Sequence, residues 1–327
     1  MTYPPTIFNL FKPAGITSYD VIRQLKRNLP PGFGKIGHMG TLDPFASGIL
    51  LVAVGGATRI NDYVHRFLPK TYLAVGKLGV WTETGDLTVP IQQHDESEYL
   101  ASKIASFSPD FIQEQLQNSF TGEYLQAPPI YSAAKFQGKP LHQWKREDGI
   151  EIKKEPVSRT IHSIEVVRYS FPFISLRVTV SSGTYIRTLF EDVANCLGTI
   201  GSLSALLRAE IGGLRVSNAL HSGRWPIRGE EYQPPFYQQF GHRVDQLLPL
   251  NKLVLQNSEM VKFRNGNPVI PSADLMVIDS NLDQQQVAGL AWVYSDSQGL
   301  QQENCGPIGL GEVESGQKSL RPLINFA

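Results

Sequence analysis

Asp43 is the residue whose setting in this chain best suits chemistry, because it stands in the glycine-rich stretch Gly37–Gly48. Pro44 biases the backbone of Asp43 away from the helical region, so the acid is expected on an extended backbone. The apolar run at residues 49–54 is short and bounded by glycines, which predicts a fully buried strand as a rigid support. A carboxylate presented in this way suits nucleophilic or acid–base catalysis, although Asp-Pro among glycines is equally typical of a turn.

Helices are predicted on both sides of this loop. One covers residues 18–29, with Ser18 as its N-cap and an apolar stripe on one face, and a second covers residues 57–67. A third helix opens at Ser108-Pro109, where a capping residue precedes a proline of the first turn. Its predicted buried face consists of Phe111, Ile112 and Leu116.

Strands are predicted over residues 70–78, 162–169 and 173–181. In the last of these, apolar residues from Ile174 to Val180 alternate with polar ones, so one face should be buried. The stretch that follows has apolar residues at helical spacing, beginning with Ile186. Because varied insertions rather than regular crossover helices separate the strands, the pattern favours an α+β fold over a doubly wound parallel sheet.

Charge is unevenly distributed along a chain of 327 residues whose formal net charge is zero. Residues 1–90 contain nine basic and five acidic residues, and residues 121–228 contain 14 basic and nine acidic residues. Residues 229–327 contain six basic and 11 acidic residues. A locally basic surface can attract RNA even when the whole protein is neutral, although charges scattered over a solvated surface would give the same counts.

Several function classes find no support in the composition. The chain has two cysteines, Cys196 and Cys305, which excludes a disulfide framework and is typical of buried thiols in a reducing compartment. The sequence contains no metal-ligand cluster and no glycine-rich nucleotide-binding motif, so neither a metal nor another cofactor is expected. It has no signal peptide and no apolar run long enough for a membrane span, so a soluble, cytoplasmic protein is expected.

Four further blocks of sequence accompany the Asp43 loop in a fixed order. They are Lys12–Ser18, the pair Lys70–Tyr72 and Leu78–Asp86, Gln126–Lys135, and Ser182–Arg187. Together with the loop, they closely resemble the motifs of the TruB family of pseudouridine synthases, bacterial enzymes that modify uridine 55 in the T loop of tRNA. The resemblance covers about residues 8 to 215.

The resemblance implies a pseudouridine synthase fold, with a mixed, largely antiparallel central sheet flanked by helices and loops. The catalytic domain would cover residues 1–220, including an RNA-gripping arm at about residues 127–152, and residues 221–245 would form a connector. Residues 246–327 contain short β-like runs and resemble the small PUA-like β-barrel that many family members carry. The implied protein is an isomerase of tRNA processing, a monomer with no obligate protein partner, which uses no cofactor.

The resemblance also implies roles for individual residues. Asp43 would be the nucleophile or base, and Arg187 would pair with it, whereas an arginine in the first turn of a helix is more commonly solvated. Tyr72 would stack on the flipped uracil and handle its C5 proton, although most strand tyrosines are ordinary core residues. Whether Asp43 adds to C1′, adds to the ring or removes a proton from the sugar stays open.

Three further residues complete the implied binding site. Tyr185 would pack against the target nucleotide or Tyr72, Leu206 would form an apolar wall of the pocket, and His38 would occupy space vacated by the flipped base. The arm departs from the family pattern at His142–Gly149, which has one extra residue and lacks the usual tyrosine. Near Leu206, the chain retains Arg208 but lacks a second arginine.

Three functions are compatible with these residues. The first is pseudouridine formation in the T arm of tRNA, and the second is RNA binding or tRNA folding without catalysis. The third is glycoside hydrolysis, which ordinarily needs two carboxylates, whereas no second acid stands in a comparable loop. The complete set of Asp43, Tyr72 and Arg187 favours the first function.

Overall fold

The computed structural model of the chain describes residues 4–29, 32–224, 240–278, 282, 287, 289–295, 306–313 and 319–326. In chain order, the strands are β1 (Thr6–Lys12), β2 (Ile36–His38), β3 (Ser47–Val54), β4 (Lys70–Leu78), β5 (Val80–Trp81), β6 (Gln93–His94), β7 (Gly122–Gln126), β8 (Lys135–Phe136), β9 (Lys139–Pro140), β10 (Val157–Ser170), β11 (Phe173–Val180), β12 (Gly201–Ile211), β13 (Leu214–Arg215), β14 (Gly241–Arg243), β15 (Asn251–Val254), β16 (Leu290–Tyr294), β17 (Gly309–Val313) and β18 (Leu320–Asn325).

The α-helices whose bounds the structure describes are α1 (Ser18–Asn28), α2 (Asn61–Phe67), α3 (Glu98–Ser102), α4 (Pro109–Phe120), α5 (Leu141–Asp148), α6 (Ile186–Cys196), α7 (Val244–Leu247) and α8 (Asn257–Arg264). Short 3-10 helices occupy Gly55–Ile60, Ile104–Ser106, Val216–Asn218 and Ser222–Arg224.

The main sheet has the strand order β14-β1-β3-β12-β4-β11-β10-β7, with β2 paired to β3 and β13 paired to β12. Neighbouring strands within this sheet are antiparallel, except that β3 and β12 run parallel where Ser47 and Gly48 pair with Leu207 and Arg208. This parallel contact joins the two halves of the sheet at the residues that follow the Asp43 loop. The α+β fold with a mixed, largely antiparallel sheet is therefore confirmed.

Strand β3 is buried on both faces, as its continuous apolar run predicts. Leu50 and Val52 belong to a core cluster with α1, whereas Ile49 and Leu51 belong to the cluster that contains α2. Because neither face meets water, the strand gives the preceding loop a rigid anchor.

Helices α4 and α6 cover the opposite half of the sheet, and α6 lies close to β4 and β12. The ring of Phe190 fills the space above Gly76 of β4 so closely that a Cβ on Gly76 would lie 1.8 Å from it. This close approach fixes the position of α6, which carries Arg187 in its first turn.

Several predicted elements are confirmed, and others need correction. Strand β4 matches the predicted residues 70–78, and the predicted helix at 57–67 is α2 preceded by a 3-10 helix. Thr17, not Ser18, caps α1, because the side chain of Ser18 is buried and hydrogen-bonded to Leu42. Phe111 is 41% exposed and does not belong to the buried face of α4.

The expectation for the cysteines was wrong where it can be checked. Cys196 is exposed at the end of α6, and its thiol lies within hydrogen-bond distance of Ser119. Cys305 lies outside the described residues.

The C-terminal residues form a small separate sheet of order β15-β16-β17-β18. Its buried residues Trp292, Leu310 and Ile324 belong to the same core cluster as Ile7 and Val64 of the main domain. The two ends of the predicted connector, residues 221–224 and 240–245, are described, and β14 in its second part pairs with β1. The second sheet is therefore packed against the main domain through a continuous apolar core.

Candidate active site

The Asp43 loop is held in place by side chains that bond to its backbone. Ser18 Oγ accepts a hydrogen bond from Leu42 N at 2.9 Å and donates one to Leu42 O at 3.1 Å. Lys12 Nζ donates to Pro44 O at 3.2 Å, as well as to two carbonyls of its own turn. Gly48 has φ +114°, and a Cβ there would lie 2.3 Å from the carbonyl oxygen of Arg208. Only glycine fits at the point where the loop enters β3.

Arg208 holds the loop from the other side. Its buried guanidinium donates to Ile49 O at 2.8 Å, Gly40 O at 3.0 Å and Thr41 O at 3.4 Å. Planar guanidinium donors suit such a set of fixed acceptors better than an ammonium would. The sequence pattern drew attention to this arginine only as the remainder of an incomplete block, and long-range contacts to backbone carbonyls leave no local signal in a sequence.

Asp43 and Arg187 form a two-point ion pair. Arg187 Nε lies 2.8 Å from Oδ2, and the NH2 group lies 3.2 Å from Oδ1. Arg187 also donates to Thr84 O at 2.5 Å and Tyr131 O at 2.9 Å. The arginine side chain is 6% exposed, whereas the Asp43 side chain is 37% exposed. The carboxylate is therefore oriented by a buried partner and presented to the solvent side.

Asp43 lies on the walls of two cavities. The larger, of about 560 Å³, is also lined by His38, Arg187, Tyr131 and Arg146. The smaller, of about 210 Å³, is lined by Tyr72 and Leu206 of the sheet and by Tyr185, among others. Four of the residues singled out by sequence thus line the smaller, inner cavity, namely Asp43, Tyr72, Tyr185 and Leu206. Three line the larger, outer cavity, namely Asp43, His38 and Arg187.

Tyr72 and Leu206 come from neighbouring strands, β4 and β12, and both are buried. Tyr185 immediately precedes α6, and its backbone is clamped by Gln126. The Tyr185 N–H donates to Gln126 Oε1 at 2.7 Å, and Gln126 Nε2 donates to Tyr185 O at 3.0 Å. A strand-to-helix junction and two strands therefore supply a rigid aromatic and aliphatic lining.

His38 ends strand β2 and lines the larger cavity. Burial lowers the pKa of His38, and the nearby Arg208 charge lowers it further. Its Nδ1 and the Oγ of Ser132 are buried without a hydrogen-bond partner among the described residues. Ser132 lines both cavities and His38 lines the larger one, so two polar atoms without such partners lie at cavities that Asp43 also lines.

The predicted arm contains β8, β9 and α5. Two of its lysines are paired with acids: Lys139 with Glu147 and Asp148 of the arm, and Lys145 with Glu151 of the arm and with Glu83 outside it. The Lys139 ammonium also lies over the ring of Trp144. Both lysines are therefore already paired with carboxylates of this chain, whereas Arg146 faces the outer cavity.

A third cavity, of about 390 Å³, lies against Arg187 and is lined by Trp81, Lys153 and Glu191. Burial raises the pKa of Glu191 to about 7, and Asp192 adds to the rise, whereas the Arg187 charge opposes it. A second carboxyl group thus adjoins the arginine that orients Asp43.

Two kinds of feature are absent from the described residues. They contain no group of three or more His, Cys, Asp or Glu side chains that could hold a metal ion. Within the same residues, no helix is long and apolar enough to cross a membrane.

Comparison with known proteins identifies relatives along most of the chain. Residues 26–186 match a family model described as TruB family pseudouridylate synthase (N terminal domain). A tRNA pseudouridine synthase B of Dechloromonas aromatica is 33% identical over 315 residues, which cover 94% of this chain and 91% of that protein. One from Carboxydothermus hydrogenoformans is 40% identical over 269 residues, which cover 80% of this chain and 84% of that protein.

Solved structures show the same fold at lower identity. A Cbf5-Nop10-Gar1 complex contains a chain that matches 98% of this chain and 85% of its own length, with a TM-score of 0.66 and 22% identity. The archaeal box H/ACA sRNP Nop10-Cbf5 complex contains one that matches 98% of this chain and 86% of its own length, with a TM-score of 0.65 and 20% identity. The shared fold extends over nearly the whole chain, including the C-terminal sheet.

Proposed function

The chain belongs to the TruB family of tRNA pseudouridine synthases, which are isomerases, and we propose that it converts uridine 55 in the T loop of tRNA into pseudouridine. Asp43 acts on the extruded target nucleotide in this proposal. The observation that carries it is the two-point pairing of Asp43 with the buried Arg187 at the wall shared by both cavities.

The reaction breaks the bond from ribose C1′ to uracil N1, turns the base and forms a bond from C1′ to C5. N1 gains a proton and C5 loses one, so the atoms balance without an oxidant or a second substrate. Positive charge builds on the sugar as the first bond weakens, and a carboxylate next to C1′ can stabilise it or add to it. Arg187 fixes the orientation of Asp43 for that task, and the exposed side of the carboxylate leaves room for the sugar.

The inner cavity suits the extruded base. An enzyme that acts on a base within folded RNA must take it out of its stack, and aromatic or aliphatic side chains then replace the lost contacts. Tyr72 and Leu206 provide the two walls for the ring, with Tyr185 beside them. In this arrangement Tyr72 stacks on the uracil and its hydroxyl takes part in removing the C5 proton.

The outer cavity suits the RNA around the target. Its volume of about 560 Å³ exceeds that of the inner cavity, and it carries Arg146 of the arm and the half-buried ring of His38. His38 fills the gap left by the extruded base, and the arm contacts the T-arm backbone. Residues 1–220 serve as the catalytic domain, residues 221–245 as the connector, and residues 246–327 as a PUA-like module that adds contacts to tRNA.

The remaining parts of the proposal concern the protein in the cell. The chain acts in the cytoplasm as a monomer, without an obligate protein partner. RNA binding without catalysis is the alternative, and it leaves the paired carboxylate at the cavity wall without a use.

One experiment separates these functions. An unmodified tRNA transcript is incubated with the full-length protein, and pseudouridine is mapped by nucleotide position, with a transcript carrying cytidine at position 55 as the matched control. The proposal expects modification at position 55 alone and none in the control. Modification at another position overturns the T-loop assignment, and tight binding without any modification supports the non-catalytic alternative.

A further inference from the structure

Lys70, Ser182 and His65 form a polar cluster with the buried Arg208. Lys70, His65 and Arg208 line the inner cavity, and Ser182 adjoins it through its bond to Lys70 and its neighbour Gly183. Lys70 Nζ donates to Ser182 Oγ at 2.5 Å, and His65 Nδ1 lies 3.4 Å from both atoms. The cluster is assembled from β4, the loop before α6 and helix α2. None of the chemistry proposed for Asp43 or Tyr72 makes use of it.

The cluster carries positive charge without a matching carboxylate. None of the ion pairs among the described residues includes Lys70 or Arg208. Arg208 bonds to backbone carbonyls, and Lys70, which is 4% exposed, bonds to a hydroxyl. A buried charge that lacks a counter-ion costs free energy, and a bound anion would recover that cost.

The groups that face Lys70 determine its pKa and leave it without an anionic partner among the described residues. Burial, and then the Arg208 charge, lower the pKa of Lys70 to about 7. Burial and Lys70 lower the pKa of His65 to about 4, with Asp62 opposing and Arg208 and His38 adding to the fall, so His65 is neutral at pH 7. Because Ser182 Oγ accepts from Lys70, its own hydrogen can be donated to a ligand.

The Asp43 loop passes directly over the cluster. A Cβ on Gly40 would lie 3.5 Å from the His65 ring, 3.6 Å from Lys70 Cε and 3.6 Å from an Arg208 nitrogen. Asp43 and Lys70 thus belong to one cavity of about 210 Å³. In a nucleotide whose sugar contacts Asp43, the phosphates lie within a few bond lengths of that sugar. The uracil ring is uncharged, so the phosphates are the anionic groups that could reach Lys70.

We propose that Lys70 and Ser182, with His65 beside them, bind a backbone phosphate that flanks the target nucleotide. This inference rests on the proposed function, because it takes the occupant of the inner cavity to be RNA. The contact anchors the strand at the side of the nucleotide opposite Asp43 and holds the sugar against the carboxylate.

A scan of neutral phosphates tests the inference. T-arm RNA hairpins are prepared in which one phosphate at a time is an uncharged methylphosphonate, and their Kd values are measured with the full-length protein by fluorescence anisotropy. Turnover does not disturb the comparison, because pseudouridine formation leaves every phosphate in place. At one position next to the target, the neutral group should weaken binding to the unaltered protein about tenfold and to Lys70→Met less than about twofold.

Lys77→Met is the matched control, because Lys77 lies on the same strand but outside the cavity. It should show the same position dependence as the unaltered protein. If every phosphate position affects Lys70→Met and the unaltered protein equally, the inference is overturned.

Proton uptake gives a second readout. A phosphate beside Lys70 raises its pKa above 7, so binding at pH 7 should take up a fraction of a proton, seen as a dependence of the binding enthalpy on the buffer. Lys70→Arg is always charged and should bind without uptake. If either variant fails to fold, the unaltered protein alone tests the inference. Proton uptake should then disappear on binding the hairpin in which the phosphate that weakens binding about tenfold is neutral. Uptake that persists with this hairpin overturns the inference.

The same hairpins separate this inference from the proposed function. Pseudouridine is assayed on the hairpin with natural phosphates. If the protein forms pseudouridine but Lys70→Met remains sensitive to every phosphate to which the unaltered protein is sensitive, the phosphate site alone is refuted. If Lys70→Met loses sensitivity to one phosphate but the unaltered protein forms no pseudouridine, the proposed reaction alone is refuted.

Discussion

Two nitrogen atoms of Arg187 each bond a different carboxylate oxygen of Asp43, across 144 positions of sequence. The arginine stands in the first turn of α6, and the aspartate in the loop before β3. Two further bonds, to Thr84 O and Tyr131 O, hold the guanidinium independently of the aspartate. The orientation of the carboxylate is therefore set by a group that is itself fixed at several points.

Asp43→Asn should abolish pseudouridine formation while the protein stays folded and binds tRNA. The change removes the charge but little volume, and Arg187 keeps its bonds to two backbone carbonyls. Activity is measured by position-resolved pseudouridine mapping, and binding by filter retention. Asp110→Asn, at an exposed site on α4, is the control and should be fully active. Turnover by Asp43→Asn close to that of the control would refute the assigned role.

Arg187→Lys should lower the rate by about a hundredfold, since small displacements of a reacting group have effects of that size. An ammonium keeps the charge but cannot make two parallel bonds to a carboxylate while also reaching two carbonyls. Affinity for tRNA should change little, because Arg187 is buried behind Asp43. Single-turnover rates and Kd values check this. Parallel losses in rate and affinity would point to a phosphate contact instead.

Tyr72→Phe keeps the aromatic face in the inner cavity and removes only the hydroxyl. If the hydroxyl takes part in removing the C5 proton, product formation should slow while RNA affinity stays the same. Replacing hydrogen by deuterium at C5 of the uridine should then slow the variant more than the unaltered enzyme. A variant with normal turnover and no such isotope dependence would make Tyr72 a packing residue.

Glu191→Gln should make the stability of the protein less dependent on pH. The pKa of Glu191 is raised in the folded state to about 7, so its ionisation is favoured in the unfolded chain. The contribution of protonated Glu191 to the free energy of unfolding is fully present below about pH 4.5. It is lost as pH rises through 7, by up to ~3 kcal/mol. The melting temperature of Glu191→Gln relative to the unaltered protein should therefore increase between pH 5 and pH 8. Parallel melting profiles would contradict this.

The sequence predicted local elements well and buried polar contacts poorly. Strand β4 and the buried run of β3 follow from hydrophobic pattern, and the Asp43 loop and Arg187 stand out through their motifs. Ser18 and Thr17 are both good capping residues, and only the distant bond from Ser18 to Leu42 decides between them. The pairing of β14 with β1 and the burial of Lys70 also arise from contacts far apart in sequence.

The C-terminal sheet should unfold together with the main domain rather than before it. Trp292 of β16 is fully buried, in the apolar cluster that also holds Ile7 of β1 and Val64 of α2. Domains that share a core of this kind lack the thin, polar interface that permits independent unfolding. Trp292→Ala should remove about 3–5 kcal/mol, and the loss should appear in the whole chain.

Calorimetry and activity together check this. A single transition should shift to lower temperature in Trp292→Ala, and activity on an isolated T-arm hairpin should disappear at that same lower temperature. Val261→Ala, at a 57% exposed position on α8, is the control and should shift neither. Two separate transitions, with hairpin activity surviving the first, would show that residues 246–327 form an autonomous module and that the shared cluster contributes little. In that case, removing residues 246–327 should leave a folded catalytic domain that has lost only part of its affinity for full-length tRNA.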